Sequence, residues 1–132
     1  MAIDYGARRI GIAVSDSGTI ATAHSVLRNE GDIVEKLASL ARELGAETIV
    51  VGLPRRAHAS AAERKFRDLA DRLRQTTCKE VVLWDETLST AEAAAQLRDR
   101  GVGRREAQRD IDMHAATVIL QSYIDARPGR PS

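Results

Sequence analysis

The amino-acid sequence predicts an α/β fold, a mixed five-stranded sheet with helices on both faces in the order β-β-β-α-β-α-β-α-α. Three observations predict it. The chain opens with three strand-like runs and no helix between them. Two later apolar runs are continuous, as in strands buried on both faces. Capped amphipathic helical patterns separate those runs and supply the crossover length that parallel strands need. At 132 residues, 43% hydrophobic and 30% charged, the chain has the size and composition of one globular domain with a single core.

The elements follow in order. Ile3-Asp4-Tyr5-Gly6 is an apolar run that ends in a carboxylate, with a glycine two residues later. After Ala7-Arg8-Arg9, the segment Ile10 to Ser15 alternates apolar and small residues and reads as a second strand, so Asp4 sits at the mouth of a tight hairpin. Asp16-Ser17-Gly18 supplies turn residues, and Ile20 to Val26 reads as a third, antiparallel strand. Asp32 with Glu35 forms a capping box for a helix whose stripe is Ile33, Leu37, Leu40, Ala41 and Leu44, stopped by Gly45. Thr48 to Leu53, ended by Pro54, is expected to be a central strand.

The loop Arg55 to Ala59 follows the carboxyl end of that strand, the position that borders sites in open α/β sheets. Ser60 and Glu63 cap a second helix, with Phe66, Leu69, Ala70 and Leu73 inside, running to about Arg74. Val81 to Trp84 is the fifth strand and ends in Asp85-Glu86. Ser89 and Glu92 open a helix that runs to Arg100, and Gly101 to Arg105 reads as a flexible connection. The last helix is expected to begin near Asp110, with Ile111, Ala115, Val118, Ile119 and Ser122 on one side, before Pro128 ends it. Residues 1–126 are thus expected to form a single domain, with 127–132 as a disordered tail.

Composition narrows the function classes. No apolar run approaches the roughly 20 residues of a membrane span, and nothing resembles an export signal. The single cysteine, Cys78, has no partner for a disulfide or a thiolate metal cluster, which fits a reducing compartment, so the expected location is the cytoplasm. A net charge of +1 means that any basic surface is local. Seventeen arginines stand against Lys36, Lys65 and Lys79, a skew that suits bidentate phosphate contacts and that a GC-rich coding sequence would also produce. Aromatic residues are few, which argues against a base-stacking platform. His24, His58 and His114 lie in no metal-ligand spacing, and no Walker loop or dinucleotide fingerprint occurs.

The acids point to a chemistry. In the expected layout the parallel strands end near Asp4, Leu53 and Trp84, so Asp4 and Glu86 emerge at the same sheet edge. Asp85 and Glu86 point to opposite faces along a strand, and Glu86 is the one assigned to the cluster. Asp112 has Ala115, Ala116 and Ile119 at i+3, i+4 and i+7, at the margin of the last helix's buried stripe. Three carboxylates at one edge describe a hard-cation site for Mg²⁺ or Mn²⁺, and two such ions about 4 Å apart can drive phosphodiester cleavage. Bland readings stand beside this one: Asp4 and Gly6 as turn formers, and Asp112 as a helix cap.

These residues also resemble a known family. Asp4-Tyr5-Gly6 with Arg8 to Asp16, Val51-Gly52-Leu53-Pro54, Asp85 to Thr90, and Ile111-Asp112 followed by Ala115-Ala116 and Ile119 to Tyr123 resemble the YqgF, or RuvX-like, family over nearly the whole chain. The resemblance implies a ribonuclease H-like fold and a cytoplasmic metal-dependent nuclease. Its members are described both as Holliday junction resolvases and as nucleases maturing the 5′ end of pre-16S rRNA. The family's acids fall on Asp4, Glu86 and Asp112. Departures occur at Thr87, where the family commonly has arginine, and in the loop Arg55 to Ser60, where it has a polar glycine-containing loop.

The expectation is therefore a nuclease with Asp4, Glu86 and Asp112 as catalytic metal ligands. Gly6 would allow backbone approach, and Arg8, Arg9, Arg55, Arg104 and Arg105 would contact phosphates. The substrate is expected to be nucleic acid, structured RNA or branched or single-stranded DNA, with pre-16S rRNA favoured by the resemblance and junction DNA second. Symmetric cutting of a junction would call for a homodimer. A non-catalytic nucleic-acid-binding module is the alternative of another class, which loss of an acid would have favoured.

Overall fold

The computed structural model describes residues 1–54, 61–85 and 104–126, with the stretch 104–112 described by its backbone alone. The elements are β1 (Ala2–Tyr5), β2 (Arg9–Val14), β3 (Thr22–Arg28), α1 (Ile33–Glu43), β4 (Thr48–Leu53), α2 (Ala61–Thr77), β5 (Glu80–Asp85) and α3 (Arg104–Ala126). The five strands form one sheet in the order β3-β2-β1-β4-β5. The β1–β2 and β2–β3 pairs are antiparallel, while β1–β4 and β4–β5 are parallel. The carboxyl ends of β1, β4 and β5 therefore share one edge, which also holds the start of β2 and the end of β3.

The two faces of the sheet are built differently. Ile3, Ile10, Ile12, Ile49, Val51 and Leu53 lie on one side, with α1 and α2 supplying Leu37, Phe66, Leu69 and Leu73. Ala2, Ala13 and Val50 lie on the other, under Ala116, Ile119, Leu120 and Ile124 of α3. Strand alternation explains the division, because successive side chains go to opposite faces. Large aliphatics on the first face give the bulk of the core, each fully buried Leu or Ile stabilising by roughly 2–3 kcal/mol. Alanines on the second let α3 lie close to the sheet.

Local signals account for α1. The Asp32 carboxylate accepts from the Glu35 N–H at 3.2 Å, and Gly45 (φ 64°) ends the helix. Glu35 pairs its own carboxylate with Arg42 at 3.7 Å, so among the described contacts the box is closed from one side. Helix α2 runs to Thr77, past the expected Arg74. It stops because Cys78 adopts a left-handed conformation (φ 57°) while its N–H reaches the Arg74 carbonyl at 2.9 Å.

Two further boundaries differ from expectation. The third strand spans Thr22–Arg28, two residues later than the pattern suggested: Ile20 is 65% exposed, while Leu27 packs on the core. The last helix begins at Arg104 rather than near Asp110, so Arg104 and Arg105 belong to its first turn and not to a connection. The run Arg-Arg-Glu-Ala-Gln-Arg consists of good helix formers, which extends the helix toward its amino end. Its buried stripe is also rotated, to Ala115, Ala116, Ile119, Leu120 and Ile124, with Val118 and Ser122 half-buried. The expected helix from Ser89 to Arg100 and the tail 127–132 lie outside the described residues.

Candidate active site

Asp4 stands near the carboxyl end of β1, half-buried, on the face covered by α3. Its antiparallel neighbour is Gly11. On the other side the register Ile3–Val51, carried one residue further, brings Asp4 level with Gly52. Both flanking positions lack a side chain, so neither neighbouring strand sets one beside the carboxylate on this face.

The hairpin that follows Asp4 is held by three hydrogen bonds. Gly6 N–H donates to Arg9 O at 3.0 Å, Asn29 N–H donates to Arg8 O at 2.9 Å, and Asn29 Nδ2 donates to Gly6 O at 2.9 Å. A Cβ on Gly6 would come within 2.5 Å of the Arg9 carbonyl oxygen, so glycine is needed here for the close approach of two backbone segments. The expected role of Gly6 was approach to substrate; the contact present is internal. Asn29, unremarked in the sequence because its partners are distant in the chain, anchors the hairpin to the end of β3. Arg8 and Arg9 lie exposed on this hairpin, at the same edge as Asp4.

The acid pair at the end of β5 is partly described. Trp84 shares the α3 face, so alternation sends Asp85 to the opposite face from Asp4. Glu86 and Arg55 lie outside the described residues. Asp112 lies inside α3, eight residues past its start, which removes the reading of Asp112 as a helix cap. Position 112 shares its helical face with Ala116 and Ile119, which are buried against the sheet. The backbone places Arg104 and Arg105 in the first turn of the same helix. Among the described side chains, no group of three acids, histidines or cysteines could hold a metal ion.

Side chains further along α3 fix its position over the sheet. Trp84 Nε1 donates to Ser122 Oγ at 3.1 Å, and its ring meets Tyr123 edge to face, with centroids 5.4 Å apart. At the other margin Gln121 Oε1 accepts from Ala21 N–H at 2.9 Å, while its Nε2 donates to Thr19 O at 3.1 Å. The run Gln121-Ser122-Tyr123 thus ties the helix to β5 on one side and to the β2–β3 loop on the other. Cation placement at the acidic edge includes two residues not expected from the sequence. Arg28 stands directly opposite Arg9, and Lys65 Nζ lies 5.1 Å above the ring of Tyr5. Locating β3 too early had left Arg28 out of the strand.

A concavity of about 360 Å³ lies at the opposite edge of the sheet, between the β2–β3 loop, the segment after α1 and the end of α3. Among the described residues its rim carries Asp16 and Glu47 and no arginine or lysine, which suits phosphate poorly. His24 and His114 are exposed, away from any acid cluster among the described residues, as expected for surface histidines.

Residues 1–126 match the family model described as "RuvX: Holliday junction resolvase". The chain belongs to the RuvX family. Relatives named "Putative pre-16S rRNA nuclease" include proteins of Chlamydia trachomatis serovar L2 (34% identical, covering 96% of this chain and 91% of that one) and Halothermothrix orenii (37%, 95% and 93%). A third, from Mycolicibacterium paratuberculosis, is 42% identical over 96% of this chain and 80% of its own. In fold, the chain is similar to Thermus thermophilus RuvC, solved alone (TM-score 0.56, 14% identity, 96% and 94% covered) and in complex with a Holliday junction substrate (0.55, 14%, 94% and 94%). The fold is therefore ribonuclease H-like, and this RuvX-family chain is a nuclease, a hydrolase of phosphodiester bonds. No helix among the described residues is long and apolar enough to cross a membrane.

Proposed function

We propose that the chain is a divalent-metal nuclease in which Asp4, Glu86 and Asp112 hold Mg²⁺ or Mn²⁺ in a two-metal arrangement, and that it processes the 5′ end of pre-16S rRNA in the cytoplasm. The observation that carries this reading is the placement of Asp4. It sits at the carboxyl edge of the sheet, between two glycines, on the face over which α3 carries position 112. Oxygen donors of this kind fit hard cations and suit neither soft nor imidazole-seeking metals. When bound, such ions activate a water and stabilise the leaving oxygen of an in-line displacement. The chain's own groups orient the strand: Arg8, Arg9, Arg55, Arg104 and Arg105 contact phosphates, and Gly6 keeps the hairpin low enough for the backbone to pass. Residues 1–126 act as a single nuclease domain, a reading supported by the span of the family match.

The rRNA substrate follows the names of the relatives. The family description favours a second reading, resolution of branched DNA by a homodimer. Cleavage of labelled precursor RNA, single-stranded DNA and four-way junctions, with Mg²⁺ and with Mn²⁺, separates the two. Asp4→Asn and Glu86→Gln should each lower the rate by more than about a hundredfold, beyond the ~10–100-fold typical of losing an outer-shell partner. Full activity in either variant would sink the metal assignment.

A further inference from the structure

Tyr5 ends β1, one residue past Asp4, and strand alternation sends it to the other face of the sheet, where it packs on the aliphatic core. Its ring meets the buried Phe66 of α2 edge to face, with centroids 6.0 Å apart. The residue before Phe66 is drawn into the same contact. The ammonium of Lys65 lies 5.1 Å from the centroid of the Tyr5 ring and 6.0 Å from that of Phe66. At these distances the negative face of the ring attracts the cation.

Lys65 is exposed, and an exposed lysine on a helix ordinarily pairs with an acid three or four residues away. Asp68 stands at that spacing. The ion pairs present within α2 instead join Glu63 to Arg67 and Asp71 to Arg74, and among the described residues no carboxylate pairs with Lys65. The ring therefore holds the ammonium without neutralising it. A lysine is a compact charge on a flexible stem, and ordering that stem costs rotamer freedom. Over Tyr5 part of that ordering is complete before any anion arrives, and the ammonium keeps its charge and its N–H donors for one.

We propose that Lys65 contacts a backbone phosphate of the nucleic-acid substrate on the α2 side of β1, and that Tyr5 is the residue that positions it. The Cα atoms of Asp4 and Tyr5 are about 3.8 Å apart, so a strand lying across the end of β1 meets both sides. The relation of this phosphate to the cut bond rests on the proposed role of Asp4. The contact itself does not, and it can be tested without cleavage.

The test is binding of a labelled oligouridylate to the full chain in EDTA over a range of salt. Lys65→Gln should lower the slope of log K against log[salt] by about 0.7, the share of one phosphate on a single strand. At low salt it should bind about two- to fivefold more weakly, and Lys65→Arg should restore most of the slope. A purely structural role would lower the melting temperature and leave the slope at its wild-type value. The part of Tyr5 is read by comparing Tyr5→Phe with a ring-fluorinated phenylalanine at the same position, which keeps the packing and weakens the negative face of the ring. Fluorination should weaken binding by about twofold or more, and that loss should vanish in a Lys65→Gln background. In the cleavage assay Lys65→Gln should raise KM with kcat nearly unchanged. A wild-type slope in Lys65→Gln, or absence of salt-dependent binding by the wild type, would overturn the contact. A fluorination effect that persists in full without Lys65 would overturn the positioning by Tyr5. Cleavage that survives Asp4→Asn while Lys65→Gln still lowers the slope would overturn the metal assignment and leave the phosphate contact standing.

Discussion

Gly6→Ala probes whether the hairpin beside Asp4 depends on the closeness of two backbone segments. Gly6 is not among the described glycines with positive φ, so alanine faces no conformational bar there. The obstacle is contact: the new Cβ would lie 2.5 Å from the Arg9 carbonyl oxygen. A backbone atom cannot rotate aside, so the turn opens. Opening weakens the 3.0 Å bond from Gly6 N–H to Arg9 O and the 2.9 Å bond from Asn29 Nδ2 to Gly6 O. At about 1 kcal/mol each, the loss is about 2 kcal/mol. Alanine's lower freedom in the unfolded chain returns about 0.4–1 kcal/mol, leaving a net cost of about 1–1.5 kcal/mol. For a domain of this size that lowers the melting temperature by about 3–8 °C. Calorimetry or circular dichroism measures it. A double-mutant cycle with Asn29→Ala should be less than additive, because both substitutions disturb the same bond. A Gly6→Ala protein that melts within 1 °C of the wild type would refute the packing argument.

Two further outcomes follow from single positions. Cys78→Gly should raise the melting temperature by about 2–4 °C and leave cleavage unchanged, since Cys78 is exposed and holds φ 57°, a conformation that costs a non-glycine residue about 1–2 kcal/mol before glycine's own entropy is deducted; a lower melting temperature would show that its side chain contributes more than the strain it bears. Asp85→Asn should leave cleavage within about threefold of wild type, because strand alternation puts Asp85 on the face away from Asp4. A hundredfold loss in the standard Mg²⁺ assay would instead enrol Asp85 in the acid set.

How legible each element was depended on how local its causes are. Helix α1 could be read outright, because Asp32, the stripe from Ile33 to Ala41 and Gly45 all act within the helix itself. The mixed sheet was legible too, since the continuous run Thr48–Leu53 and the early helix-free stretch leave few topologies open. The end of β3 was not. Its bounds are fixed by pairing with β2 and by the irregularity between Ile12 and Ala13, both set by residues distant in sequence. That displacement concealed Arg28. The start of α3 was misread because glycines at 101 and 103 and the arginines after them carry loop signals, which helix propensity and packing of the later turns outweigh. At the site, the position of Asp4 was readable from an apolar run ending in acid, whereas the Asn29 anchor was not, because it joins residues 23 apart.

The two sheet faces differ in how closely a helix can approach them, which bears on the proposed pairing of Asp4 with position 112. Under α1 and α2 the sheet presents Ile3, Ile10, Ile12, Ile49 and Val51, whose bulk holds the helices at a distance and fills the gap with hydrocarbon. Under α3 it presents Ala2, Ala13 and Val50, with Gly11 and Gly52 nearer the active edge. A helix laid on alanine and glycine comes closer to the strands than one laid on isoleucine, and Ala116, fully buried, continues the same economy from the helix side. Gln121 and Trp84 fix the far part of α3, and a rigid helix carries that placement back at 1.5 Å per residue to position 112, about 15 Å away. A carboxylate on β1 and one on the helix could share a cation, as proposed, only across this close-packed face. On the aliphatic face the same two acids would be separated by a layer of isoleucine and leucine side chains.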